Sequence, residues 1–453
     1  MLFQALAIAR NAFIEAIRQP ILFVLVLLSG AFQIYNTANT GFSMGLTESS
    51  EVAADNKLLF DIGLGTVFVI GTLLAGFIAT AVMSREIENK TVLTVVSKPV
   101  GRPVLVLGKY LGVAGAIMVA SVIMLVFLLL AIRHGVMSTT AEELDKPVLW
   151  LGLGSVALAL ALGGWCNYFY GWSFPQSVIL LLLPLTLLAY IFVAFLGKNW
   201  GLAHPLQTFK PQITIACLCL LLAILVLTAV ATAVSTRFGQ VMTIVACLGV
   251  FVLALLSNHL FGRHVFVNQA VGAIAFVRPE EPTKPDFAKG ERFRIELEQD
   301  PTGQIRPGAN IHYGPTPNGY PLVTGFSPAR FEGDVTDAEV VLAPGAPAAV
   351  IAERIEGRRI RLRHVGGPGT GVATSRPPEP GDYVFLEPTR VNAAALAVWG
   401  VVPNLQFFWL LDAVSQNRPV PPKYLGMAAL YAAVQIGAFL SLGVILFQKR
   451  DVG

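Results

Sequence analysis

The chain reads as an α-helical polytopic membrane protein of about eight spans with a β-rich extracytoplasmic domain inserted before the last of them. Three observations carry that reading. Hydrophobic residues make up 55% of the 453 and charged residues only 13%, with a mean hydropathy of +0.66, far from the composition of a soluble globular domain. Several apolar runs exceed the roughly 20 residues needed to cross a bilayer. From Gly262 to Arg390 the composition changes abruptly, to frequent Pro and Gly, nearly balanced acids and bases, and apolar runs of strand length.

Residues 1–20 are expected as an interfacial amphipathic helix. Leu2, Leu6, Ala9, Phe13 and Ile17 fall on one face and Gln4, Asn11, Glu15 and Arg18 on the other, which suits a helix lying on the inner leaflet. The competing reading is a cleaved leader ending near Ser29-Gly30-Ala31, but the amphipathic lead is too long for its charged start. Residues 21–261 carry the first seven spans. Ile21–Tyr35 is the first, an acidic loop with Glu48, Glu51, Asp55 and Asp61 follows, and Ile62–Met83 is the second.

Ser84–Lys109 then sets Arg85, Lys90, Lys98, Arg102 and Lys109 against Glu86 and Glu88. The positive-inside bias puts this stretch on the cytoplasmic face and orients everything else. Its middle, Glu88–Val96, is expected as a short surface helix that Pro99 and Pro103 bring to an end. The third span, Val104–Ile132, leads to a second acidic loop with Glu142, Glu143 and Asp145. Val148–Trp165 and Ser177–Leu196 are either two full spans or a re-entrant hairpin, the first of them short and Gly-rich. Lys198 and Lys210 in the next outer loop run against the charge rule, and either reading of the hairpin returns the chain to the same side. Ile213–Val234 is the sixth span, Ser235-Thr236-Arg237-Phe238 a basic inner turn, and Val241–Leu260 the seventh.

Residues 262–392 form the β-rich domain, long enough for one independent core. Arg292–Glu298, Glu339–Leu342, Arg358–Arg363 and Tyr383–Leu386 read as its strands. Alternation of Arg with Ile and Leu from 358 to 363 gives one wet and one buried face, the wet face being either a solvated sheet edge or a surface for an anionic ligand. Residues 393–423 are apolar but include Pro403, Asn404, Gln406 and Asp412, which a full span would leave in lipid, so re-entrant or interfacial helices are expected. Residues 424–453 supply the last span and a cytoplasmic end at Lys449-Arg450.

The chemistry is sparse. No Gly-x-x-x-x-Gly-Lys-Ser/Thr loop occurs, Gly101–Lys109 having the wrong spacing, so nucleotide hydrolysis is not expected in this chain and no cofactor is implied. The run Gly366–Gly371 lacks a following helix and reads as a turn-rich loop. His264, His312 and His364 share the β-rich domain, yet scattered histidines are ordinary surface or turn residues and no metal is expected. All four cysteines, Cys166, Cys217, Cys219 and Cys247, lie in or beside apolar runs, so the β-rich domain has no disulfide. Nothing interleaves basic and aromatic residues as nucleic-acid binding requires. No span carries an acid or base near its middle, where a proton- or sodium-driven pump needs one. Small residues recur at helical spacing, as in Gly71 and Ala75 or Gly112 and Ala116, either for close packing within the bundle or for a seam between protomers.

Arg85-Glu86-x-Glu88-x-x-Thr91, then Lys98-Pro99-Val100-x-Arg102 and Gly108-Lys109, resemble the cytoplasmic loop of ABC-2 type transporter permeases. The ending Phe447-Gln448-Lys449-Arg450-Asp451-Val452 and the stretch Pro403-Asn404-Leu405-Gln406 are similar to that family as well. The departure is Lys90, where the family commonly has a small residue. The resemblance implies a permease that exports a substrate using ATP hydrolysed by a separate cytoplasmic ABC ATPase subunit. In it Arg85, Glu86, Glu88, Thr91, Lys98, Pro99, Arg102 and Lys109 would couple to that ATPase, and Pro403, Asn404 and Gln406 would belong to an extracytoplasmic gate. It further implies a second permease copy, identical or a sister chain, a surround of membrane lipid, and a bacterial-type inner membrane with both termini cytoplasmic. The alternative is a membrane-anchored binding or assembly module acting through the β-rich domain.

Overall fold

The computed structural model describes residues 2–40, 50–88, 101–136, 144–204, 211–280, 291–320, 322–323, 334, 337–341, 349–365, 376–410 and 420–448, with backbone alone at 50–56, 84–88, 338, 341 and 349. The chain divides into two compact units, Met1–Leu255 with Asn404–Gly453, and Leu256–Pro403.

The first unit is helical. Its helices are α1 (Leu2–Ile17), α2 (Pro20–Thr40), α3 (Ser50–Glu88), α4 (Arg102–His134), α5 (Lys146–Tyr170), α6 (Phe174–Ala194), α7 (Pro211–Ser235) and α8 (Gln240–Leu255). After the second unit, Pro422–Gln448 closes it as α10, the label α9 being kept for Ala393–Val401 in the second unit. Among the described residues seven helices are long and apolar enough to cross a membrane, and an eighth is added if Gln240–Leu255 and Asn258–Val265 count as one broken span. Prolines open several of them, at Pro20, Pro103, Pro147, Pro211 and Pro422, where a missing N–H costs no helical hydrogen bond.

The stretch from 146 to 194 makes two helices that are each long enough to span. Asp145 caps the first by accepting from the Val148 N–H at 3.2 Å, and Gly171, with φ +64°, ends it five residues beyond the expected Trp165. The left-handed turn at Gly171 lets its N–H reach the Asn167 carbonyl, so the aromatic run Tyr168–Tyr170 stays helical.

Helices α3, α4 and α7 form the buried centre, joined by Leu74, Ile78, Ile117, Met124, Ile224 and Leu227. Small residues set the spacing. A Cβ on Gly71 would lie 2.6 Å from Ile224 Cδ1 of α7, and one on Gly112 would lie 2.4 Å from the Ala9 carbonyl oxygen of α1. Both glycines thus serve packing within the chain. The face that α1 turns to the bundle is Ala5, Ala12 and Ala16 with Ile17, while Leu2 and Leu6 of the expected apolar side are exposed, as is Phe3. The small side chains are inside because α4 approaches too closely for large ones.

The second unit is built on a closed antiparallel barrel. Its strands are β2 (Ala270–Pro279), β3 (Arg292–Leu297), β4 (Asn310–Gly314), β5 (Ala349–Glu356), β6 (Arg359–Val365) and β7 (Tyr383–Phe385), ordered β2-β3-β6-β5-β4-β7, and β1 (Phe266–Val267) pairs with β8 (Arg390–Val391) beside them. Ile274, Phe293, Ile295, Tyr313, Ile360 and Leu362 fill the interior, each large apolar side chain stabilising by roughly 1.5–3 kcal/mol when fully buried. Arg376 grips Asp382 with two hydrogen bonds of 2.7 and 2.6 Å, and the Tyr313 hydroxyl donates to the Arg376 carbonyl at 2.6 Å.

Two expectations need correcting. The strand expected at Glu339–Leu342 is not found, since Ala338–Val341 is a single helical turn and Leu342 lies outside the described residues. Asp337 caps it, its side chain accepting from the Glu339 N–H at 2.9 Å, and Glu339 itself suits a helix start. Nor is the basic strand a sheet edge. β6 pairs with β3 on one side and β5 on the other, and a closed barrel leaves it no free edge.

Candidate functional site

The charged segment between α3 and α4 is anchored at both ends. Helix α3 runs on to Glu88, so Arg85, Glu86 and Glu88 stand on its last turns. Thr91, Lys98 and Pro99, with most of the expected surface helix Glu88–Val96, lie outside the described residues. Where the chain resumes, Arg102 starts α4 and donates from Nη1 to the Gln448 carbonyl at 3.0 Å. Its guanidinium also sits 5.8 Å from the centre of the Phe447 ring. Gln448 is the last residue of α10, and a cation there complements the negative end of the helix dipole.

Lys109 is placed differently from Arg102. It is 5% exposed, and its Nζ lies 3.5 Å from the Val82 carbonyl of α3 and 3.8 Å from Glu15 Oε2 of α1. The ammonium therefore ties α1, α3 and α4 together. Two turns of α4 separate Arg102 from Lys109, one gripping the chain's last helix and the other its first.

In the stretch Pro403–Gln406, Asn404 caps a short 3₁₀ turn, Leu405–Phe408, its side chain accepting from the Gln406 N–H at 3.1 Å. The Asn404 N–H donates to the Tyr431 hydroxyl at 2.8 Å, and Gln406 Nε2 donates to the Leu255 carbonyl at 2.8 Å. Pro403 is buried, as are Leu405 and Phe408. Phe407 packs on Tyr424 and Tyr431 with centroids 5.0 and 5.4 Å away, and the Tyr424 hydroxyl donates to the Phe407 carbonyl at 2.6 Å. Polar atoms that lipid would strand are thus satisfied by protein. Tyr431 escaped the sequence reading. Its signal was its seven-residue spacing from Tyr424, which puts both rings on one helix face.

A second pair that went unread is Arg133, near the end of α4, with Asp145, just before α5, 3.2 Å apart with the carboxylate fully buried. Arg133 also donates to the Leu196 carbonyl at 3.0 Å, which ties α6 to the same point. Among the described residues no three potential ligands converge on a metal-sized site.

Among the described residues, seven or eight apolar helices of spanning length with a buried helical centre make a multi-pass membrane protein. Residues 6–165 match the family model described as ABC-2 family transporter protein. That part of the chain, about a third of its length, is similar to the membrane components of ABC-2 type transporters. No curated protein and no solved structure matches the chain.

Proposed function

We propose that this chain is the permease subunit of an ABC-2 type exporter, driven by ATP hydrolysed in a separate cytoplasmic subunit and working with a second permease copy. Both termini and the 84–109 segment face the cytoplasm of a bacterial-type inner membrane, and the β-rich domain faces outward. What supports the reading is the family match over residues 6–165, which includes the whole charged segment. Arg85, Glu86, Glu88, Thr91, Lys98, Pro99 and Arg102 form the docking contact. Lys109 carries its movement into the bundle through Glu15 of α1 and Val82 of α3. Pro403, Asn404 and Gln406 form the outer gate.

Charged pairs partly desolvated at such a contact cost roughly 2–5 kcal/mol when one partner is lost. The double reversal Glu86→Lys/Glu88→Lys should therefore reduce copurification of the ATPase and its stimulated hydrolysis. Insertion should be unaffected, since added positive charge agrees with the inner side. Glu142→Lys/Glu143→Lys, in the outer loop, is the matched control. Equal recovery and equal stimulation for both variants would refute docking at this segment.

A second reading, a membrane-anchored binding or assembly module, draws on the barrel, which has its own apolar core. Under that reading the spans serve as an anchor, and neither pair of reversals changes function.

A further inference from the structure

We propose that the outer face of the barrel across β2, β3, β6 and β5 binds an acidic glycan chain through a row of arginines held in register. Strand pairing sets Arg278 of β2 opposite Arg294 of β3, Arg294 opposite Arg361 of β6, and Arg361 opposite Arg354 of β5. Residues directly opposite one another share a face. Their neighbours Ile295, Ile360 and Leu362 lie in the core and Val277 and Ile355 pack against it, so all four guanidiniums point out. The side chains of Arg294, Arg361 and Arg354 are 53, 30 and 67% exposed, and Arg278 is exposed as well.

Like charges directly opposite in a sheet are destabilising, and this face sets three such pairs in succession. The carboxylates along the row are too few to neutralise it. Glu280 lies 3.5 Å from Arg294 Nη2 and 3.1 Å from Arg361 Nε, and Glu356 lies 2.7 Å from Arg354 Nε. Among the described residues Arg278 makes no ion pair. Two carboxylates against four guanidiniums leave a positive band that adds nothing to the barrel's core.

The dimensions choose the ligand. Adjacent strands lie about 4.8 Å apart, so the row extends on the order of 14 Å. A small anion meets two arginines at most, whereas a chain with repeated carboxylates meets them all, and the planar guanidinium suits carboxylate in a two-pronged hydrogen bond. The outside of a closed barrel is convex, so a flat charged surface touches only its crest while a flexible chain follows the curve. Phe276, two residues before Arg278 and on the same face of β2, is 71% exposed. It offers an apolar plate to the C–H face of a sugar ring. The face belongs to the barrel alone, whether or not the chain transports.

The test uses the full-length chain in nanodiscs of neutral lipid, with polygalacturonate as probe. Arg278→Gln/Arg354→Gln removes the exposed ends of the row and should weaken binding about tenfold or more. Phe276→Ala should weaken it too, and added salt should weaken the parent chain. Arg358→Gln should not, because its guanidinium is held 3.0 Å from Asp300 at the hairpin, outside the row. Unchanged affinity in both the double variant and Phe276→Ala overturns the proposal. So does binding of polyphosphate or of anionic vesicles in place of polygalacturonate.

Discussion

Lys109 shows how one side chain changes meaning between sequence and structure. In sequence it closes a basic segment; in the fold it is a nearly buried ammonium beside Glu15, whose side chain is 37% exposed. Removing the carboxylate leaves a poorly hydrated cation in place. Glu15→Gln should cost roughly 1–3 kcal/mol, between the worth of an exposed pair and that of a fully buried one. Glu15→Gln/Lys109→Met should recover part of it, which thermal unfolding in detergent measures as a double-mutant cycle. No change for Glu15→Gln would mean the pair holds nothing. In the barrel, burial of His312 pulls its pKa below the ordinary 6.5. The folded state therefore takes up its proton less readily than the unfolded chain, so stability is complete above that ordinary value and declines as pH falls through it toward the lower folded pKa. His312→Gln should flatten this decline, and melts of the two proteins between about pH 7.5 and pH 5 check it.

At the scale of elements, the packing of α1 on α4 depends on glycine. A side chain at Gly112 meets the backbone of α1, including the Phe13 nitrogen 2.8 Å from an added Cβ. Backbone cannot rotate away as a side-chain tip can, so Gly112→Leu should push α1 off α4 and cost roughly 1–3 kcal/mol or more. It should also expose Lys109 to an amine-reactive reagent. Gly154→Leu is the control, since an added Cβ there meets nothing within 4 Å. Equal reactivity of Lys109 in both variants would show that α1 is not seated this way. The helices themselves were readable because prolines and apolar length are local signals. The barrel strands were half readable: β3, β6 and β7 stand close to where alternation put them, whereas β2, β4 and β5 went unread. β2 starts as the small, apolar Ala270-Val271-Gly272-Ala273, which carries no alternation.

For the whole molecule, the division at Leu256–Pro403 and the separate core of the barrel lead to an expectation about folding. Residues 256–403 expressed alone should give a strand-rich circular dichroism spectrum and a cooperative melt; a disordered spectrum would show that the barrel needs the rest of the chain. Orientation has its own test. A cysteine at Asp334 should react with an impermeant thiol reagent added outside, and one at Lys90 should not. Labelling at Lys90 from outside would reverse every loop assignment, because all were placed from that segment.

Apolar length and the change of composition after Gly262 were enough to establish a polytopic membrane protein with an inserted β-rich domain, because membrane insertion responds to segment hydrophobicity and composition, both properties of contiguous residues. What the tertiary structure alone decided depends on residues far apart in the chain. It sent Lys109 inward to Glu15, turned Gly112 against Ala9, seated Asn404 on Tyr431, and made β6 an interior strand of a closed barrel. The arginine row exists only through register. A one-residue slip in any strand would send its arginine to the opposite face, and nothing within a single strand records which residue its neighbour will bring alongside.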